Sequence, residues 1–234
     1  MTIDARVFDA LADLVTYPDA RFAATCRDAV EVVLSAFPGL EGDLESLLRF
    51  ASEQPTEQLE EVYTRTFDGS TANSLEVGWH IFGENYTRGA FLVHMRQQMR
   101  ELGLAESSEL PDHLTHVLAV LGRLPEKDAS RLAADSVAPA LRTVKESLAR
   151  SGNLYHGVIV AIEKAVESRI LPGEPRRAAT LHPSLPPQLT GGEWAEAPEP
   201  GGCGAMFGAE TENPASPEDC KEACPLPSLF PGVC

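Results

Sequence analysis

The chain has 234 residues, with 19 Lys and Arg against 35 Asp and Glu, a formal net charge of −16 and a hydrophobic content of 43%. So acidic a surface repels phosphate backbones and anionic lipid alike, which excludes the usual nucleic-acid binders and favours basic partners. The apolar fraction is too high for a wholly disordered chain, and even the run Val158 to Ile162 falls far short of a membrane span.

At the N-terminus, Asp4, Asp9 and Asp13 stand where a secretory signal would carry bases and then an apolar run, so a cytoplasmic protein is expected. From there to residue 171, apolar residues recur at helical spacing. The first sets are Val7, Leu11, Leu14, then Phe22, Cys26, Val30, Val33, Phe37, then Leu59, Val62, Tyr63, Phe67. They continue with Leu92, Met95, Met99, Leu102, with Leu114, Val117, Leu118, Leu121, and with Val137, Leu141, Val144, Leu148. The last set is Tyr155, Val158, Ile159, Ile162, Val166. Each covers one face of a 3.6-period helix, and no stretch alternates as a half-buried strand would. Pro18, Pro111 and Pro125 stand at expected helix starts, and Gly39, Gly103 and Gly152 just past apolar periods, where a left-handed cap is wanted. The expected fold is all-α, a single compact multi-helix domain of about ten helices over residues 1–171.

Beyond it the composition changes. Residues 172–234 hold 12 of the 18 prolines and 8 of the 18 glycines. Fixed φ, missing donors and the entropy of glycine oppose a packed core, so this tail is expected to be mostly disordered, with at most a helical turn near 217–223.

Three constellations could carry chemistry. His80 and Glu84 lie four apart and His113 and His116 three apart, so each pair would share a helix face, as ligands of a metal-dependent helical-bundle enzyme would. Against that reading, the helical body contains no Glu-x-x-His, and histidines at a core edge are the simpler account. Four of the five cysteines, Cys203, Cys220, Cys224 and Cys234, fall in the tail at spacings unlike a zinc knuckle or an iron–sulfur motif, while Cys26 sits on an apolar face as core. The tail could still serve as a docking or metal-trafficking arm. The third constellation runs from Tyr63 to His116. Here aromatics (Tyr63, Phe67, Trp79, Phe82, Tyr86, Phe91) alternate with carboxylates (Asp68, Glu76, Glu84, Asp112), and the chain has no nucleophile–base pairing or phosphate loop. These residues read either as core and caps, with Glu84 pairing Arg88 and Asp112 opening a helix, or as a binding groove.

The ordered set Tyr63, Phe67, Asp68, then Ser74, Leu75, His80, Gly83, Glu84, Arg88, Gly89, then Glu109, Leu110, Pro111, Asp112, His113, Leu114 resembles the NarJ branch of the TorD/DmsD redox-enzyme maturation chaperones. The likeness covers roughly residues 5–170 and has no counterpart in the tail. It implies an all-helical cytoplasmic chaperone, not an enzyme and without a cofactor of its own. Such proteins bind the N-terminal segment of the catalytic subunit of a molybdoenzyme. This branch implies respiratory nitrate reductase, held competent for molybdenum cofactor insertion before membrane attachment. Another enzyme of the molybdopterin class is the alternative client. The resemblance carries peptide binding over to Pro111, Asp112 and His113, with Trp79, His80 and Tyr86 beside them. A basic amphipathic leader would then fold as a helix into an apolar groove with carboxylates at its rim, on a chaperone expected to be monomeric.

Overall fold

The computed structural model describes residues 3–173. They form ten α-helical segments: α1 (Ala5–Asp13), α2 (Phe22–Ala36), α3 (Glu41–Glu53), α4 (Thr56–Phe67), α5 (Val77–Phe82), α6 (Tyr86–Glu101), α7 (Leu114–Arg123), α8 (Glu126–Leu132), α9 (Ala138–Ser151) and α10 (His156–Glu167). A single 3-10 turn, Thr71–Asn73, separates α4 from α5. Among the described residues the only β-type pairing is one antiparallel bridge between Glu76 and His113. The all-α expectation and the helix number both hold. The tail, with its expected disorder, its helical turn near 217–223 and its four cysteines, lies outside the described residues.

The core is built by helices whose apolar stripes face inward. From α1, Phe8 and Leu11 are fully buried, as is Leu14 at its C-cap, and from α7 so are Val117, Leu118 and Leu121. Helix α1 packs on α7 and on α2, while α10 packs on α9, α3 and α1. Burial of Gly157, Val158, Ile159, Ala161, Ile162, Ala165 and Val166 covers a little over half the circumference of α10, with Glu163, Lys164 and Glu167 on the opposite side. So wide an apolar face lets α10 pack on three helices at once. Its crossing with α3 depends on Gly157, since a Cβ there would fall 1.8 Å from the carbonyl oxygen of Asp43. Cys26 is fully buried, as expected, and burial pushes its thiol up to about 11.

The punctuation residues fall partly as read. Pro125 directly precedes α8, and Gly39, Gly103 and Gly152 all take positive φ. Pro111, by contrast, lies in the turn ahead of α7, whose N-cap is His113. Pro18 likewise precedes α2 by four residues. Pro139 sits in the first turn of α9, with no N–H to return to a carbonyl four residues earlier. The backbone ahead of it widens into a π turn over Ala133–Val137, which links α8 to α9 without a break in the helical backbone.

Candidate functional site

The last two turns of α4 put Tyr63 and Phe67 on one buried face. The Tyr63 hydroxyl donates to the Val15 carbonyl at 3.1 Å, which ties α4 to the end of α1. Its ring meets Tyr17, Phe67 and Tyr155 edge-on at centroid distances of 5.3, 5.0 and 6.1 Å. Phe67 also packs on Tyr155 at 4.8 Å. This aromatic wall is therefore continuous with the core.

A second wall comes from the segment between the 3-10 turn and α5. The Val77 N–H donates to the Asp112 carbonyl at 2.9 Å, and the Leu114 N–H donates to the Leu75 carbonyl at 2.8 Å. These two bonds hold Ser74–Glu76 beside His113. Between the walls lies a cavity of about 120 Å³, lined by the aromatics Tyr17, Tyr63 and Phe67 and by the acids Asp68, Glu76 and Glu109, with Ser74, Leu75 and His113 completing it. Tyr17 stands half-exposed at 47%. A larger open cleft of about 520 Å³ runs along α3 by the α9–α10 turn, past Ser46, Arg49, Phe50 and His156, and contains none of the candidate site residues.

Behind the second wall is an ion-pair network. Arg88, from the first turns of α6, donates from Nε to Asp112 Oδ2 at 3.0 Å, from Nη2 to Asp112 Oδ1 at 3.4 Å, and from Nη2 to Glu76 Oε2 at 2.7 Å. Burial raises the Asp112 carboxyl above the ordinary carboxylate range, while the guanidinium pulls it back. Burial works against the charged form of Arg88 too, yet its two carboxylates outweigh that and raise its pKa. Space for the network is left by Gly78, where a Cβ would lie 2.5 Å from Asp112 Oδ2. Gly83, with φ 60° and ψ −141°, turns the chain from α5 into α6 in a conformation open to glycine alone.

The expected pairing of Glu84 with Arg88 is thus corrected. Glu84 is exposed, and the buried Asp112 competes for the guanidinium with far less water to displace its hold. The expected role of Asp112 at a helix start is corrected with it, because its carboxylate turns inward to Arg88 and His113 caps α7 instead.

Of the six residues assigned to peptide binding, only His113 lines the cavity. Pro111 and Asp112 are buried behind it. Trp79 is half-buried under the Arg88 guanidinium, 5.9 Å from ring centroid to Cζ. His80 donates from Nε2 to the Ser74 carbonyl at 2.7 Å, bracing the second wall. Tyr86, 80% exposed, projects from the start of α6 and does not reach the cavity. Sequence reasoning missed Tyr17. It follows the apolar stripe of α1 and carries no motif, so only the Tyr63–Val15 tie reveals its place.

The rival metal ligands do not converge. His116 donates from Nδ1 to the Leu110 carbonyl at 2.9 Å and accepts at Nε2 from Ser107, and His113 Nδ1 accepts the Thr115 N–H at 3.4 Å. Among the described residues, no group of three or more His, Cys, Asp or Glu is placed to hold a metal ion.

Comparison with known proteins bears on the same segment. The family model described as nitrate reductase delta subunit matches residues 36–161, which include every lining residue of the cavity except Tyr17. The chain belongs to this family. Within the family, the "Nitrate reductase molybdenum cofactor assembly chaperone NarJ" of Escherichia coli K12 is 30% identical over 146 residues, 61% of this chain. The match spans 61% of that relative's length as well. The "Probable nitrate reductase molybdenum cofactor assembly chaperone NarJ" of Bacillus subtilis 168 is 28% identical over 173 residues, covering 71% of this chain and 92% of the relative.

Proposed function

We propose that this chain is a dedicated assembly chaperone. It binds the N-terminal segment of the catalytic subunit of a respiratory molybdoenzyme, nitrate reductase foremost, and keeps that subunit competent for molybdenum cofactor insertion before membrane attachment. The observation that carries the reading is the cavity itself, which has aromatic walls and an acidic rim, and whose lining, Tyr17 and Glu76 apart, consists of residues that carry the family resemblance. A basic peptide is drawn to the rim by charge and held by apolar contact, and neither a covalent step nor a nucleotide is needed. Ordering a flexible leader costs a few kcal/mol, so the complex releases readily, as a hand-off requires.

In this reading residues 1–171 are the working domain and act as a monomer in the cytoplasm, without catalysis. No helix among the described residues is long and apolar enough to cross a membrane. His113 touches the peptide, Asp112 and Pro111 hold the segment that presents it, and Trp79 and His80 brace the wall. Tyr86 offers a separate exposed ring for the peptide's distal part.

Calorimetric titration of the full chain with the client's N-terminal peptide tests the reading. Saturable one-to-one binding, weakened by Tyr17→Ala, supports it. A peptide that ignores the wild-type protein removes it. Maturation of the client by a chain lacking residues 172–234 tests the domain assignment, and loss of activity would move the function to the tail.

A further inference from the structure

The cavity is too small for the leader as a whole. About 120 Å³ is room for about four water molecules, whereas a helix with its side chains is about 10 Å across. What enters it is one side chain, and the lining specifies which.

Three carboxylates face this space, and Asp68 and Glu109 make no ion pair among the described residues. Only Glu76 has a cation, Arg88, and shares it with Asp112. The Tyr63 hydroxyl is committed to the Val15 carbonyl, so Tyr63 offers the cavity its ring. Tyr17, packed edge-on against Tyr63 and half-exposed, adds a second ring at the mouth. A small chamber with π faces and two unneutralised carboxylates selects a cation.

His113 completes the wall opposite these rings, largely buried, with its Nδ1 2.8 Å from the Thr115 hydroxyl and accepting the Thr115 N–H at 3.4 Å.

We propose, resting on the peptide-binding reading above, that this cavity receives the side chain of a single arginine of the client segment. The guanidinium stacks beside Tyr17 and Tyr63 and donates in a fork to Asp68 and Glu109. Lysine fits less well, because a compact, strongly hydrated ammonium neither stacks flat nor bridges two carboxylates. The rest of the leader lies outside the cavity, anchored by this one residue.

The test replaces each arginine of the N-terminal peptide of the nitrate reductase catalytic subunit, one at a time, with citrulline, which keeps the shape and removes the charge. Binding to the full chain is measured by calorimetry. One position is expected to dominate, with a loss of roughly ten- to a hundredfold. On Glu109→Gln or Asp68→Asn protein, whose altered side chains are exposed, the same citrulline should cost only a few-fold. If the citrulline penalties are the same on wild-type and variant proteins, the arginine pocket is overturned while peptide binding stands. If the unmodified peptide does not bind at all, both fall together.

Discussion

Arg88 grips Asp112 with two hydrogen bonds, and the Asp112 carboxylate has no solvent exposure at all. The pair joins α6 to the turn that presents His113, so the cavity's second wall is held from behind by charge. Removing the guanidinium strands a buried carboxylate. Arg88→Ala should cost about 3–5 kcal/mol in urea unfolding, and adding Asp112→Asn should recover much of that loss. Equal stability of the single and double variants would show that the pair is not what holds the wall.

Acid should loosen the same region. Burial, helped by the neighbouring His116, pushes the His113 imidazole down to about 4, from an ordinary value of 6.5. The unfolded chain then binds more protons than the folded one between those values. Stability from this group is complete above about pH 6.5 and falls as the pH drops toward 4, by about 3 kcal/mol in total. His80 and His94, also lowered by burial, act in the same direction. Asp112, raised by burial, opposes them at the acid end, since its folded form takes up a proton first. His113→Asn keeps an N-capping side chain and cannot titrate. Its urea midpoint should therefore fall less than the wild-type midpoint between pH 7 and pH 4.5.

Two glycine-to-alanine changes should move in opposite directions. Gly157→Ala drives a methyl into the backbone of α3 and should destabilise by at least about 1–3 kcal/mol. Gly89, inside α6, has nothing within 4 Å of where its Cβ would stand, so Gly89→Ala should stabilise by up to about 1 kcal/mol through helix propensity alone. Thermal melts of the two variants decide both.

Tyr63→Phe deletes one buried oxygen and orphans the Val15 carbonyl. A loss of about 1–2 kcal/mol is expected, together with weaker peptide binding as Tyr17 loses its fixed neighbour. A stable variant with unchanged affinity would show that the tie between α1 and α4 does not shape the cavity.

Much of this was readable from residue order. Apolar period gave seven of the ten helices, all but α3, α5 and α8, because a stripe such as Val117, Leu118, Leu121 can be buried only on one face. The family motif marked the cavity's lining from Tyr63 to His113. The partners within that lining were not readable. Glu84, one turn before Arg88, is the near choice by sequence, and only three-dimensional burial makes Asp112 the stronger partner. Pro111 and Asp112 looked like contact residues because they flank His113, whereas the Glu76–His113 bridge turns them inward. Tyr17 could not be placed, since its contact with Tyr63 spans the whole interval from α1 to α4.

Tyr63 and Phe67 line the cavity and at the same time pack on Tyr155, the residue that opens helix α10. Any change that widens or reshapes that inner surface therefore disturbs the bundle itself. Freedom to retune selectivity is left to the rim, at Tyr17, Asp68 and Glu109, so relatives devoted to different clients should diverge there first while keeping the same inner rings.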